Sequence, residues 1–484
     1  MNSLSPLIPF DNSFVRQLPG TFVVQAPATP PAPKLLRLNT GLAAELGLDA
    51  EALQPHAAAW FSGASVPPGA EPIAQAYAGH QFGGFSAQLG DGRAVLLGEV
   101  LDRNGNRRDI GLKGSGRTPF SRGGDGKAAI GPVLREYLIA EAMHAMGVPT
   151  SRALAAVATG ETVYRESPLP GAVLTRVASS HIRIGTFQFF AARGDAAQVK
   201  ALADYTIARH YPDLEGANRY LALFDAVIAR QTRLIAQWMG LGFVHGVMNT
   251  DNMTLSGETI DYGPCAFMEA YAPGTVFSSI DHQGRYAYAN QPLILAWNLA
   301  RLAETLVPLF DADGARAVDL ANERLGGIAG QYRAAWTDVM RAKLGLSGGQ
   351  AGDAALADDL LAAMAGQGAD WTLTFHRLAT AVTGDTSFIL PLFADPTAVL
   401  GWLPRWHARL GSDSVARMTW ANPAVIPRNH LVEEVLAAAT AGDMVPFEAM
   451  LAEVTNPFAS EQGREAYALP APQGLAPHVT FCGT

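Results

Sequence analysis

The sequence has few cysteines and few charged residues, and each scarcity excludes a class of protein. Two cysteines among 484 residues, Cys265 and Cys482, cannot support a disulfide-dense secreted scaffold or a structural zinc cluster, although they could form one bridge. Only 16% of the residues are charged and 49% are hydrophobic, so the chain is not disordered and can bury large cores.

Excess basic charge and long apolar runs are missing as well. The net charge is −9, whereas nucleic-acid binders usually carry a basic field, so we expect no nucleic-acid partner. The longest apolar stretch, residues 221–244, is interrupted by Asp225, Arg230 and Arg233, and a membrane helix needs roughly 20 apolar residues. The N-terminus lacks the pattern of a signal peptide. We therefore expect a cytoplasmic monomer without a membrane partner.

The patterns along the chain divide it into four parts. Residues 1–72 are an N-terminal extension that we expect to be irregular, with a proline-rich spacer at 27–33. Residues 73–180 contain β-prone runs and one helix, residues 181–455 are mainly helical, and residues 456–484 form a proline-rich tail. The predicted fold is α+β and protein-kinase-like: an antiparallel-sheet N-lobe with a helix, then a mainly helical C-lobe with extensions.

Turn residues predict the elements of the N-lobe. Asn104-Gly105 between two β-prone runs is a strong hairpin signal. Residues 132–146 should form a helix, because a proline suits its first turn and Gly147 suits its C-cap. A second hairpin is predicted over 153–166 around Thr159-Gly160, followed by a strand over 171–178.

Three features of this region follow the order found in kinases. Residues 79–95 are rich in glycine, which exposes backbone N–H groups to a nucleotide. Lys113 follows on a strand, where it could bridge phosphates. Glu136 lies on the next helix, where it could pair with that lysine. Each feature alone has an ordinary explanation: tight turns, an exposed lysine and a solvent-facing glutamate.

The strongest feature is the spacing from His245 to Asn252, followed by Asp261-Tyr262-Gly263. A protein kinase has His-Arg-Asp, four residues, then Asn, with Asp-Phe-Gly further on. The Asn252 amide oxygen and the Asp261 carboxylate are hard ligands that suit Mg²⁺ or Mn²⁺ bound to phosphate. The alternative is that both residues serve in turns.

One position departs from the kinase pattern. Val247 stands where a kinase has the aspartate that accepts the proton of the substrate hydroxyl. The nearby carboxylate is Asp251, so the chain is either an inactive kinase or an enzyme with a displaced base. Arg176 and Arg183 are candidates for binding phosphate oxygens, because arginine forks suit them. Asp125-Gly126 belongs to a loop that could also face phosphate.

Five motifs together resemble the selenoprotein O family, also called the YdiU family: YAGHQFGGF, LGDGRAVLLGE, DIGLKGSGRTPFSRGGDGKA, HGVMNTDNM and IDYGPCAFM. The resemblance covers nearly the whole chain. It implies a pseudokinase-like protein adenylyltransferase that transfers AMP from ATP to Ser, Thr or Tyr hydroxyls, and UMP from UTP in some members. It also implies that ATP binds in a flipped orientation, which presents the α-phosphate to the acceptor.

The resemblance also implies residue roles. Lys113 and Glu136 would form an ion pair that serves catalysis, Asp251 would be the base, and Asn252 and Asp261 would bind the metal. The nucleotide pocket would include Gly90, Gly92, Arg93, Lys113, Asp125, Gly126, Arg176, Arg183 and Asp261. Many eukaryotic members carry selenocysteine near the C-terminus, where this chain has Cys482, and this implies a redox role together with Cys265.

Three other functions remain open on the sequence. A conventional protein kinase is disfavoured by Val247, and a small-molecule kinase is weakened for the same reason. A non-catalytic nucleotide-binding scaffold would be expected to lose its metal ligands, whereas Asn252 and Asp261 are present.

Overall fold

The computed structural model describes residues 6–472 and 474–481, so Cys482 lies outside the described residues. An antiparallel sheet with one packed helix forms the N-terminal lobe, and helices form most of the C-terminal lobe. The predicted two-lobe α+β fold is confirmed.

Twelve strands are present in the described residues, and most belong to one sheet. Their bounds are β1 Phe22–Val24, β2 Lys34–Leu38, β3 Ile73–Gln75, β4 Gly79–Gln81, β5 Gly84–Ser86, β6 Ala94–Leu101, β7 Arg107–Lys113, β8 Ala128–Ala129, β9 Arg152–Tyr164, β10 Pro168–Ala178, β11 Phe243–Val244 and β12 Ala266–Phe267. The main sheet has the order β1-β3-β6-β7-β10-β9-β2, and β8 also pairs with β10. Two small two-stranded sheets, the β4–β5 hairpin and the β11–β12 pair, stand apart from it.

The helices of the described chain are mostly C-terminal to the sheet. Their bounds are α1 Ser13–Gln17, α2 Thr40–Glu45, α3 Ala50–Trp60, α4 Ile130–Ala145, α5 Ile184–Ala191, α6 Ala196–His210, α7 Arg219–Leu241, α8 Gln291–Phe310, α9 Gly314–Lys343, α10 Asp353–Met364, α11 Trp371–Ala381, α12 Thr397–His407, α13 Ser414–Ala421, α14 Asn429–Thr440, α15 Val445–Val454 and α16 Glu465–Ala468. The predicted helix over 132–146 is α4.

The hairpin predicted at Asn104-Gly105 joins β6 to β7. Asp102 Oδ1 accepts hydrogen bonds from the backbone N–H groups of Asn104 and Asn106, at 2.9 and 2.8 Å. Gly105 has φ 79°, a left-handed conformation that glycine adopts without steric cost. The hairpin fixes the register of β7, and β7 ends at Lys113.

The second predicted hairpin, over 153–166, is wrong. β9 continues through Thr159-Gly160 and turns only after Tyr164. Gly160 has φ 75°, yet this bend causes a local irregularity in a long strand rather than a reversal. β9 pairs with both β2 and β10, and these pairings outweigh the local turn preference.

The N-terminal extension is more regular than its sequence indicates. β1 and β2, on either side of the proline-rich spacer, join opposite edges of the main sheet. The short runs 22–24 and 34–38 show no clear strand pattern, because the strands that they pair with, β3 and β9, are distant in sequence. The division of the chain at residue 72 stays a prediction.

One apolar core runs through both lobes. Leu134, Leu138 and Ala142 of α4 are fully buried between the sheet and the C-terminal helices. A second core packs α2 and α3 against the sheet. Helix α4, which carries Glu136, is therefore held on several sides.

One stretch, Tyr288–Phe310, is long and apolar enough to cross a membrane by length and composition alone. Half of its apolar window is buried inside the protein. A core helix passes the same test, so the stretch is weak evidence for a membrane span.

We predict that Gly160→Ala destabilises the protein more than Gly105→Ala does. Both glycines have a left-handed φ, but a Cβ on Gly160 would lie 2.6 Å from Ala32 Cβ, whereas nothing lies within 4 Å of one on Gly105. Strain alone should cost about 1 kcal/mol in each variant, and the clash should add to it only at Gly160. Chemical denaturation of both variants measures the difference; equal losses would contradict the packing of the spacer at Ala32 on β9.

Candidate active site

A cavity of about 600 Å³ lies at the junction of the two lobes. This volume is within the range of small-molecule sites. Most residues predicted for the site line it: Gly90, Gly92, Arg93, Lys113, Asp125, Gly126, Arg176, Arg183, Asp251, Asn252 and Asp261. Glu136 does not line the cavity itself, but it contacts Lys113, which does.

Four charged side chains form a compact network at the inner end of the cavity. Lys113 Nζ lies 2.6 Å from Glu136 Oε2 and 2.7 Å from Asp261 Oδ1. Arg176 joins the same two carboxylates: its Nε donates to Glu136 Oε1 at 2.8 Å, and its Nη2 donates to Asp261 Oδ1 at 2.6 Å. The network connects β7, α4 and β10 to the segment that follows the loop between His245 and Asn252.

Opposite charges keep both carboxylates of the network ionised. Burial opposes ionisation, but the positive charges of Arg176 and Lys113 outweigh it and hold the pKa of Asp261 well below its ordinary value. The same balance lowers the pKa of Glu136. Asp261 can therefore act as an anionic ligand at any physiological pH.

The backbone of Asp261 is in an unusual conformation. Its φ of 61° is left-handed, which few residues other than glycine adopt. The adjacent Tyr262 is buried, and its hydroxyl is hydrogen-bonded to Thr150, so packing holds the strained turn in place. Strain of this kind is concentrated at functional sites.

The loop between His245 and Asn252 is held by its own hydrogen bonds. His245 is buried and stacks on Trp238, with ring centroids 5.2 Å apart. Its Nε2 donates to the Ile260 carbonyl at 2.9 Å, which links the loop to the Asp261 segment. Asn252 Nδ2 donates to the Val247 carbonyl at 3.0 Å, and its amide oxygen has no hydrogen-bond partner among the described residues.

Asp251 has the environment of a proton acceptor. Its Oδ2 accepts a hydrogen bond of 3.3 Å from Gln81 Nε2, and its Oδ1 has no partner in the described part of the chain. Burial raises the pKa of Asp251 to about 6. The carboxylate is thus ionised near neutral pH and is poorly solvated, which suits a general base.

The donor set fits a magnesium or manganese ion. Asn252 and Asp261 both line the cavity, and among the described residues no group of three or more His, Cys, Asp or Glu side chains could hold a metal alone. Magnesium in phosphate-transfer sites is typically held by one or two protein oxygens together with phosphates and waters. An ion here would thus depend on the nucleotide.

Arg183 lies beside the network and is nearly fully buried. Its guanidinium lies 4.4 Å above the Tyr77 ring, and its Nη1 donates to the His181 carbonyl at 3.0 Å. Its Nε has no partner among the described residues, and Asp91 is 3.8 Å from its Nη1. Arg183 therefore has donor capacity left for a ligand.

Two glycines of the predicted pocket have no room for a side chain. A Cβ on Gly90 would lie 2.3 Å from Phe120, and one on Gly126 would lie 2.1 Å from the Gly116 carbonyl oxygen. Asp125, beside Gly126, is bound by Arg165 at 2.9 Å. The glycines let two loops pack together along the cavity wall.

Sequence reasoning missed several residues that line the cavity or contact its residues, among them Tyr77, Gln81, Asp91 and Arg165. Asp91 lies between two predicted glycines, and that position was an available signal. No sequence signal pointed to Gln81, because it is 170 residues from Asp251 in the chain.

Of the two cysteines predicted to have a redox role, the structure describes Cys265. Cys265 is buried, and burial raises the pKa of its thiol to about 12. The tail reaches its neighbour: Thr480 Oγ1 donates to the Pro264 carbonyl at 2.9 Å, and Thr480 pairs with the 277–279 segment. Since Cys482 is outside the described residues, its pairing with Cys265 stays a prediction.

Comparisons with known proteins show the family of this chain. The model of the family "Protein adenylyltransferase SelO" matches residues 8–455. A "Protein nucleotidyltransferase YdiU" of Cereibacter sphaeroides (strain KD131 / KCTC 12085) is 64% identical over 98% of this chain and 99% of its own. Proteins of the same name from Rhizobium johnstonii and Chromobacterium violaceum are 58% and 59% identical, over 98% and 96% of this chain and 97% and 100% of their own. The chain therefore belongs to the protein adenylyltransferase SelO family and is a nucleotidyltransferase.

Proposed function

We propose that the enzyme transfers AMP from ATP to Ser, Thr or Tyr hydroxyls of proteins, with Mg²⁺ or Mn²⁺ bound at Asn252 and Asp261. The observation that carries the proposal is the burial of the cations at the inner end of the cavity. Arg176 and Arg183 are only 4% and 3% exposed. Terminal phosphates bound there would be out of reach of a protein hydroxyl, so the α-phosphate would be the one attacked.

The proposed reaction assigns a role to each group. The acceptor oxygen attacks the α-phosphorus and its proton passes to Asp251, while the bond from that phosphorus to the bridging oxygen breaks and pyrophosphate leaves. Lys113, Arg176 and Arg183 would hold the charge of the departing phosphates. Glu136 would position Lys113. The bound metal ion would neutralise charge on the phosphate oxygens.

Asp251 and Val247 favour this reaction over γ-phosphate transfer. Val247 has no proton-accepting group, whereas Asp251 has an unpartnered oxygen and a pKa raised to about 6 by burial. A flipped nucleotide brings the acceptor to a different phosphorus and makes the usual base position dispensable. A non-catalytic scaffold would not need a carboxylate kept in this costly environment.

Further proposals concern the second nucleotide substrate, the residues that line the pocket and the two cysteines. We propose that UMP transfer from UTP follows the same route, and that Gly90, Gly92, Arg93, Asp125 and Gly126 line the bound nucleotide. We also propose that Cys265 and Cys482 form a redox-sensitive bridge that ties the tail to the segment after Asp261. The absence of nucleic-acid and membrane partners, the monomeric state and the cytoplasmic location stay predictions.

The transferred group distinguishes the proposed reaction from kinase activity. With a cell lysate as acceptor, label from α-³²P-ATP should enter protein and label from γ-³²P-ATP should not. Asp251→Asn should lower the α-label rate about a hundredfold or more, because general-base catalysis contributes roughly 10²–10⁴-fold. Labelling by γ-³²P-ATP alone would make the enzyme a conventional kinase.

The transfer rate should fall as pH falls below about 6, where Asp251 becomes protonated. The rate falls with falling pH because a general base accepts a proton only in its ionised form. The rate at saturating ATP and metal should drop about tenfold per pH unit there.

Two variants control for titration of the nucleotide itself. Asp125→Asn removes a carboxylate of the same cavity whose pKa is lowered, so it should keep the acidic decline. The residual activity of Asp251→Asn should lack it. A decline that persists in Asp251→Asn would rule out Asp251 as its source.

A further inference from the structure

The β4–β5 hairpin carries exposed aromatic side chains at the mouth of the cavity. Phe82 and Phe85 are 37% and 46% exposed, and Phe82 lines the cavity. Ile280, from a distant part of the chain, is 51% exposed and lines the same mouth. Large apolar side chains grouped on a surface mark an interaction site more often than isolated ones do.

A cation without an ionic partner completes this surface. The Arg285 guanidinium carbon lies 3.6 Å from where a Cβ on Gly83 would be, at the hairpin turn, and it lies 4.8 Å above the Trp297 ring. Arg285 forms no ion pair with any residue that the structure describes, and its Nε has no hydrogen-bond partner there. The guanidinium of Arg285 could therefore pair with the carboxylate of an incoming segment.

Hydrogen bonds lock the hairpin to the catalytic loop. Phe82 has φ 51°, a strained conformation for an aromatic residue. Its backbone N–H donates to Asn249 Oδ1 at 3.1 Å and to the Tyr286 hydroxyl at 3.2 Å. Gln81 donates to Asp251, so the exposed aromatic side chains are held at a fixed position relative to the base.

We propose that this rim surface, formed by Phe82, Phe85, Ile280 and Arg285, docks the polypeptide segment that carries the acceptor hydroxyl. The segment would place an apolar side chain against the phenylalanines and an aspartate or glutamate against Arg285. The surface is continuous with the cavity through Phe82 and Ile280, so a bound segment can present its hydroxyl to Asp251. The proposal rests on the proposed function and adds the acceptor preference to it.

The first test measures acceptor use separately from nucleotide binding. With α-³²P-ATP at saturation and a dilute cell lysate as acceptor, Phe85→Ser and Arg285→Glu should each lower the initial labelling rate about tenfold, as loss of a central interface residue does. ATP affinity, measured by calorimetry, should match that of the wild type, which also shows that each variant is folded.

Two exposed residues elsewhere on the C-lobe provide matched controls. Leu400 is 46% exposed, as Phe85 is, and the Arg316 side chain is 70% exposed. Leu400→Ser and Arg316→Glu should label the lysate at the wild-type rate. Equal rates in all five proteins would overturn the docking surface alone. Absence of α-label in the wild-type reaction would instead contradict the proposed function and overturn the docking proposal with it.

The second test measures which residues the enzyme prefers near the acceptor serine. A random peptide library with a fixed central serine is incubated with α-labelled ATP, and the modified peptides are sequenced. The wild type should select peptides with apolar and acidic residues near the serine, Phe85→Ser should lose the apolar preference, and Arg285→Glu should change the acidic preference to a basic one. An unchanged preference in Arg285→Glu, or no peptide labelled while lysate proteins are, would overturn the proposal.

Discussion

The carboxylate of Asp261 is shared by Lys113 and Arg176, and the site depends on this one interaction. Four charged groups are largely removed from water at this point, and a buried charge is stable only when it is paired. Glu136 completes the balance by contacting both cations. Removal of any member would leave an excess charge in the interior, so the network constrains β7, α4, β10 and the Asp261 turn together.

In the proposed function, the same network would prepare the cavity for a nucleotide. Asp261 and Glu136 neutralise Lys113 and Arg176, the cations that would face phosphates. Arrival of a metal–nucleotide complex would let Asp261 turn from an ion-pair partner into a metal ligand, while Lys113 and Arg176 gain phosphate oxygens. The buried Tyr262 holds the strained turn that carries the Asp261 carboxylate in place. Asp251 lies outside the network and has no cation within bonding distance among the described residues, so its pKa is raised rather than lowered.

Local signals in the sequence were enough for some elements and not for others. The Asn104-Gly105 turn and helix α4 were predictable because short-range chemistry decides them. The spacing from His245 to Asn252 pointed to a loop that lines the cavity, and the catalytic roles of its residues stay predictions. The prediction of a hairpin at Gly160 is wrong because strand pairing on both sides of β9 outweighs the local turn preference. The contact of Gln81 with Asp251 was not predictable, because it joins residues 170 positions apart.

We propose that Asp261 couples metal binding to nucleotide binding, and calorimetry with and without Mg²⁺ measures this coupling. In the wild type, ATP affinity should increase when Mg²⁺ is added. In Asp261→Asn, which keeps the shape of the side chain, ATP should still bind, because Lys113 and Arg176 are released to contact phosphates, but the increase with Mg²⁺ should be lost. The same increase with Mg²⁺ in both proteins would contradict this role of Asp261.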